Sequence, residues 1–158
     1  MAIYLKFDSI KGSTTDSQFK DQIELESFQW GAGIGCSSAR GGDRTTSEPS
    51  VSEITASKQT DKSSELLFKA LLKGDAVGKG VISFTAAIKG ESVAYATLTL
   101  EEVIVSGFSM SSGGGDSLPT ESISLNFTKF DWSFKGRDVK QAGNPTHLIY
   151  SLVENKVG

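Results

Sequence analysis

The stretch Asp61 to Gly74, DKSSELLFKALLKG, is the only convincing helical pattern in a chain that otherwise reads as strands and turns. Asp61 or Ser63 is placed to cap the free N–H groups of the first turn, and Gly74 to take the left-handed position after the last. Lys62, Glu65, Lys69 and Lys73 fall together on a helical wheel as a narrow polar stripe. Leu66, Leu67, Phe68, Ala70, Leu71 and Leu72 cover most of the remaining circumference. A helix resting on its own sheet needs one apolar face, and one apolar nearly all round needs cover on several sides. Two readings follow. Either the helix is enclosed by its own domain, or a neighbouring chain covers part of it, with Phe68, Leu71 and Leu72 at a subunit interface.

A chain of 158 residues is expected to form one domain over residues 1–158 and to bury most of its apolar surface. Its net charge of −3 is mild and its Lys and Arg are scattered, which argues against a nucleic-acid surface. Cys36 is the only cysteine, so stability must come from packing or assembly. The opening MAIYLKFDSIKG alternates and lacks the apolar run of a signal peptide, and no stretch is apolar for long enough to span a bilayer. The expectation is a soluble chain made in the cytosol, with no membrane insertion; export without a cleaved signal stays open.

Ile3, Leu5 and Phe7 alternate with Tyr4 and Lys6, as in a strand buried on one face. After a polar loop from Asp8 to Asp21, Ile23 and Leu25 point inward in a second strand. Then the phase slips and Phe28 and Trp30 become the apolar pair. A one-residue slip turns every later side chain to the other face, so either a bulge lies near Ser27 or the strand leaves the core. Gly31 to Pro49 has no periodicity and is rich in glycine, serine and threonine. It suits an arm that orders against a partner, or a disordered excursion.

Ile54 and Ala56 point inward in the short strand from Ser50 to Lys58. Gly74 to Gly80 is a turn. Ile82, Phe84, Ala86 and Ile88 alternate, and Gly90-Glu91-Ser92 makes a hairpin turn. Val93 to Ser109 and Thr120 to Phe134 are long strands around the loop Ser111 to Pro119, and each is expected to bend or to extend past the core. Ala94, Ala96, Leu98, Leu100 and Ile104 share a face on the first. On the second, Ile123, Leu125 and Phe127 share one face and Phe130, Trp132 and Phe134 the opposite one. The two aromatic ends either lie side by side or share a surface, which makes Trp30 and Trp132 further interface candidates. Leu148, Tyr150 and Leu152 mark a last strand. Seven or eight strands and one helix point to a barrel or sandwich.

Catalytic patterns are absent. His147 is the only histidine and reads as a surface residue, and Cys36 sits in a glycine-rich loop that would hold a nucleophile poorly. One His and one Cys show no zinc-ligand spacing. GDAVGKG at Gly74 lacks the Ser or Thr of a phosphate loop and follows a helix; GAGIGC at Gly31 lacks the third glycine of a dinucleotide fingerprint. Asn126-Phe127-Thr128 matches a glycosylation sequon but lies in a strand pattern. No catalytic residue, cofactor or metal site is expected.

IYLKFDSIKGSTTD, SFQWG at Ser27, PSVSEITASKQTDKSS before the helix, and TLEEVIVSGFSMSSGGG with PTESISLNFTKFDWSF together resemble the Hcp family, the haemolysin-coregulated tube proteins of bacterial type VI secretion systems. The resemblance runs in order over nearly the whole chain and is weakest from Lys135 to Thr146. Phe19 stands where the family often has histidine, and Glu65 where proline commonly follows the serine pair. The resemblance implies a mainly β fold, a β-barrel of two sheets with one flanking α-helix. It also implies a homo-hexameric ring that stacks into a hollow tube, driven by a sheath with a spike at its head and able to hold effector proteins in its lumen. On that basis Gly33, Arg40, Asp43, Arg44 and Glu48 are candidates for ring stacking, and Gln29, Ser111 and Ser112 for the lumen wall. The alternative is a monomeric barrel binding a small apolar ligand, against which the large inward residues argue for a filled core.

Overall fold

A computed structural model describes residues 1–37, 44–136 and 145–158. Strand β1 (Ile3–Phe7) turns Leu5 and Phe7 into the core, and pairs antiparallel with β2 (Ile23–Leu25) on one side and β7 (Gly78–Ile88) on the other. Ile23 and Leu25 are buried, as the alternation predicts. The slip that follows is a change of sheet. The Glu26 N–H donates to the Ser57 carbonyl at 2.7 Å, and β3 (Ser27–Gln29) pairs with β6 (Ile54–Gln59).

Strand β8 (Glu91–Ser111) makes the same transfer within one unbroken run. Its first half pairs with β7 and with β10 (Lys129–Phe134), its second half with β9 (Thr120–Asn126). Strands β9 and β10 are one predicted strand broken at Phe127 and Thr128. Phe127 and Phe130 are therefore both buried although the apolar phase reverses between them, because the sheet reverses too. One sheet runs β12-β11-β10-β8-β7-β1-β2, with β11 (Thr146–Ser151) and β12 (Lys156–Val157) at its end. The other runs β3-β6-β9-β8. They face each other across one apolar core as an open barrel of two sheets joined through β8.

Three expectations on these strands are corrected. Ile104 does not share the face of Ala96, Leu98 and Leu100: Glu102 has φ 50°, the register skips there, and Val103 and Val105 point inward instead. The alternation through Ile82 and Ala86 is broken by a register shift at Phe84/Thr85, which leaves Phe84 half-buried and buries Ser83 and Thr85. The hairpin turn is Lys89-Gly90, with φ of 52° and 80°, the two positive values a type I′ turn requires; Glu91 and Ser92 already belong to β8.

Helix α1 (Ser64–Lys73) ends as predicted, with Gly74 at φ 70° and its N–H shared between the Ala70 and Leu71 carbonyls. Its start differs. Ser63 holds the cap position without a side-chain cap bond, because its hydroxyl and N–H both donate to the Asp61 carboxylate. Ser64 and Leu67 are the buried residues, Ala70 and Leu71 pack partly on the core, and Leu66, Phe68 and Leu72 stay exposed. The stretch read as an aperiodic loop is a two-stranded ribbon. Strand β4 (Ala32–Gly33) pairs with β5 (Ser50–Val51), and Cys36 bridges to Thr46 further out. The Ser47 N–H donates to the Gly35 carbonyl, and the Ser47 hydroxyl accepts from the Gly35 N–H at 2.9 Å, which ties the two sides of the ribbon together.

Candidate functional site

The second sheet buries one face and leaves the other to solvent. Register places its outward residues in cross-strand rows: Ser27, Ser57, Ser122 and Ser109 in one, then Gln29, Thr55, Ser124 and Gly107 in the next. A third row holds Gln59, Thr120 and Ser111. No charged or large apolar side chain stands in these three rows. The Ser27 and Ser57 hydroxyls are 2.6 Å apart, a direct hydrogen bond across β3 and β6. Gln29 and Ser111, two of the lumen candidates, lie on this face, and Ser112 follows at its edge, exposed. The next position along β6 is Glu53, whose carboxylate accepts bonds from Ser106 at 2.7 Å and Asn126 at 3.3 Å.

Behind this face lies a polar cluster inside the core. Lys58, 0% exposed, and Glu121, 1% exposed, form an ion pair with Nζ and Oε2 2.6 Å apart. The ammonium also reaches Asp61 Oδ1 at 3.1 Å, the Ser64 hydroxyl at 3.0 Å and the Gln59 carbonyl at 2.9 Å. Ser64 and Thr60 hydroxyls donate to the Glu121 carboxylate at 2.9 and 3.1 Å. A buried charge is tolerated only when paired and hydrogen-bonded, and here every neighbour supplies a partner. The cluster ties the start of α1 to β6 and β9. Sequence reasoning missed it, although Lys58 is in phase with Ile54 and Ala56, and Glu121 with Ile123 and Leu125.

Two further concave surfaces carry exposed aromatic rings. The first is a groove of about 600 Å³ at the open end of the barrel, where Phe28, Trp30, Phe84, Phe130, Trp132 and Phe134 converge from both sheets. Trp30 meets Phe130 edge-on with ring centres 4.7 Å apart, and Trp132 at 6.4 Å. The two predicted aromatic strand ends thus share a surface without lying side by side, since β3 pairs with β6, and β10 with β8 and β11. Trp132 and Phe134 are each 47% exposed. The second is a mixed cleft of about 420 Å³ at α1, where Phe68 stacks on Phe108 at 5.0 Å beside the exposed Met110, with Asp61, Lys62 and Glu65 among the rest of its lining. Of the interface candidates, Trp30 and Trp132 lie in the groove and Phe68 in the cleft. Leu72 is 70% exposed on the helix and Leu71 packs partly inward.

Of the stacking candidates, Gly33, Arg44 and Glu48 lie exposed on the ribbon, and Arg40 and Asp43 fall outside the described residues. The exposed Cys36 thiol points at the Ile34 carbonyl, 3.9 Å away, and His147 pairs with Asp131 at 3.0 Å on the surface. Among the described residues no group of three or more metal-ligating side chains assembles, and no helix is long and apolar enough to cross a membrane. Asn126 of the sequon is held by Glu53.

The molecule is thus defined by its surfaces: neutral rows on one sheet face, an aromatic groove, a mixed cleft at α1 and an exposed ribbon on an open two-sheet barrel. The sequence profile described as "Type VI secretion system effector, Hcp" matches residues 4–134, and the chain belongs to the Hcp family, the tube proteins of type VI secretion. It is 26% identical over 155 residues to the protein hcp1 of Pseudomonas aeruginosa, covering 97% of this chain and 96% of that one. A solved structure described as a type six secretion system protein superposes with a TM-score of 0.91 at 27% identity, over 99% of both chains. Hcp1 from Salmonella typhimurium shares the fold, with a TM-score of 0.80 at 24% identity over 99% of this chain and 98% of that one.

Proposed function

We propose that this chain is the ring subunit of a type VI secretion tube: copies close into six-membered rings, the rings stack, and the tube is exported with its spike by a contracting sheath. The observation that carries this reading is the neutral outer face of the β3-β6-β9-β8 sheet. A solvent-facing sheet ordinarily mixes Lys and Glu with its hydroxyls, and three successive rows of Ser, Thr, Gln and one Gly suit a lumen wall along which folded effector proteins move or rest. Gln29, Ser111 and Ser112 would then face cargo. The ribbon, with Gly33, Arg44 and Glu48 exposed, is suited to reach the next ring.

The test is sedimentation of the full-length chain with electron micrographs of the same sample. A species near six times the chain mass and ring-shaped particles are expected. Replacing residues 36–46 by a short glycine linker should abolish stacked tubes and leave single rings. Gln29→Lys should keep the ring and change which effectors co-purify. A chain that stays at its own mass across micromolar concentrations would refute the ring, and would favour the second reading, an apolar ligand in the 600 Å³ groove.

A further inference from the structure

We infer that Glu53 is a docking point for an arginine side chain of the cargo protein. The inference rests on the ring reading, which turns the β3-β6-β9-β8 face toward the lumen, and adds to it the chemistry that this face selects. The three cross-strand rows on the face are neutral. Glu53 is the charged residue that follows them, two positions before Thr55 and six before Gln59 in the same outward phase, so it stands about 20 Å along an extended strand from the far row. Its side chain is exposed, and none of the ion pairs formed among the described residues includes it.

The carboxylate is held in place from two strands. Val105 pairs with Leu125 and Gly107 with Ser124, so Ser106 is the extra residue of a β-bulge. Bulges re-aim a side chain, and here the Ser106 hydroxyl donates to Glu53 Oε2 at 2.7 Å. From β9 the Asn126 amide donates to Oε1 at 3.3 Å. Each carboxylate oxygen thus accepts one bond. A carboxylate has about four acceptor positions, so each oxygen keeps one for an incoming donor. The parallel N–H groups of a guanidinium match two carboxylate oxygens at once, whereas an ammonium meets them as a point charge. A carboxylate fixed in this way distinguishes arginine from lysine, which a freely rotating surface glutamate does poorly. Gln29, Thr55 and Ser124 in the adjoining row supply neutral hydrogen-bonding groups for the rest of the segment. Six copies around a ring repeat the carboxylate in one band, so a segment with several arginines engages more than one of them. At the Gln59 end of the face, Glu24, Glu26 and Asp61 line a separate pocket and are the competing anionic site on this chain.

The experiment titrates the full-length chain into two fluorescent synthetic peptides of equal charge, one of four Arg-Gly-Ser repeats and one of four Lys-Gly-Ser repeats, and follows anisotropy at low salt. The arginine peptide should bind about fivefold more tightly than the lysine peptide. Glu53→Gln keeps the side-chain length and an acceptor oxygen, so its unfolding midpoint should match the wild type while the arginine peptide binds about tenfold more weakly. Ser106→Ala keeps the charge and loses its aim, so the two peptides should bind alike. A wild-type chain that does not distinguish the peptides would overturn the inference. So would a Glu53→Gln variant that binds both as the wild type does, and the peptide would then belong to Glu24, Glu26 and Asp61. Sedimentation of the same samples reports on the ring separately, because each chain carries the whole carboxylate arrangement. A chain that stays at its own mass and still prefers arginine overturns the ring and leaves the docking point standing; a ring without the preference overturns the docking point alone.

Discussion

Replacing Lys58 by methionine tests whether the buried cluster holds the helix to the barrel. Methionine keeps the length and apolar stem of lysine, so the change removes a charge and leaves little void. It deletes the 2.6 Å pair to Glu121 together with the contacts to Asp61, Ser64 and Gln59. Glu121 then remains 1% exposed as a carboxylate with only the Ser64 and Thr60 hydroxyls as side-chain donors. Breaking a buried pair from one side typically costs about 3–5 kcal/mol, because the surviving charge stays desolvated. Asp61, at the start of the helix and partly open to water, is not expected to add much, since it can be hydrated. We expect Lys58→Met to lower unfolding free energy by about 3–5 kcal/mol. The double variant Lys58→Met/Glu121→Leu should recover most of that loss, since no charge is left buried there. The assay is urea unfolding followed by tryptophan fluorescence, at concentrations where the chain is monomeric, because assembly would add its own stability. A loss below about 1 kcal/mol for the single variant, with an unchanged urea slope, would refute the claim that a desolvated Glu121 depends on Lys58.

Hydrogen bonds from the Ser92 hydroxyl and the Gln18 N–H hold the Asp16 carboxyl below the usual aspartate range. A depressed folded-state value stabilises above the unfolded value and is lost as pH falls through the folded one. Ser92→Ala should therefore raise the Asp16 titration toward the ordinary aspartate value, read by carboxyl carbon NMR, and withdraw its contribution at a higher pH than in the wild type. Gly12 sits against the backbone at Gln22, where a Cβ would lie 2.2 Å from the carbonyl oxygen. Gly12→Ala should cost about 1–3 kcal/mol in the same urea assay, since backbone must move to admit it.

The core was largely legible in the sequence because burial of one sheet face imposes a period of two. Leu5, Phe7, Ile23, Leu25, Ile54 and Leu98 all point where alternation puts them. Helix α1 was legible from its Gly74 stop and its lone position among strands. The phase slips were visible at Phe28 and Phe130, but their cause was not. A strand that changes sheet and a strand with a bulge give the same local pattern, and only the pairing partner distinguishes them. Ile104 was misplaced for a related reason, because nothing in the residues around Glu102 announces a positive φ in a non-glycine residue. The ribbon between Ala32 and Val51 escaped because Val51 is the one partly buried residue of its two short strands, so no apolar alternation marks their period. The Lys58–Glu121 pair is in phase with its apolar neighbours, but a charged residue at an inward position reads as buried only once its partner is known.

The same changes of sheet that obscured the pattern explain why the chain has surfaces to spare. A closed barrel consumes every edge. Here β8 spends its first half on one sheet and its second half on the other, so each sheet ends before it meets the other's edge, and the barrel stays open. The opening leaves Trp132 and Phe134 half-exposed, and the freed second half of β8 leaves Met110 exposed next to Phe108. A monomer gains nothing from this arrangement: it keeps water on aromatic rings, and among the described residues it leaves the segment IVSGFSMS with a strand partner, β9, on one side only. The polar rows on the same sheet exclude a stack of sheets face to face as the remedy, because such packing needs an apolar outer face. In the ring proposed above, subunits would meet laterally, with the neutral rows left free. An open barrel with exposed aromatic rings is costly for an isolated chain, and that cost is the physical ground for the ring proposed above.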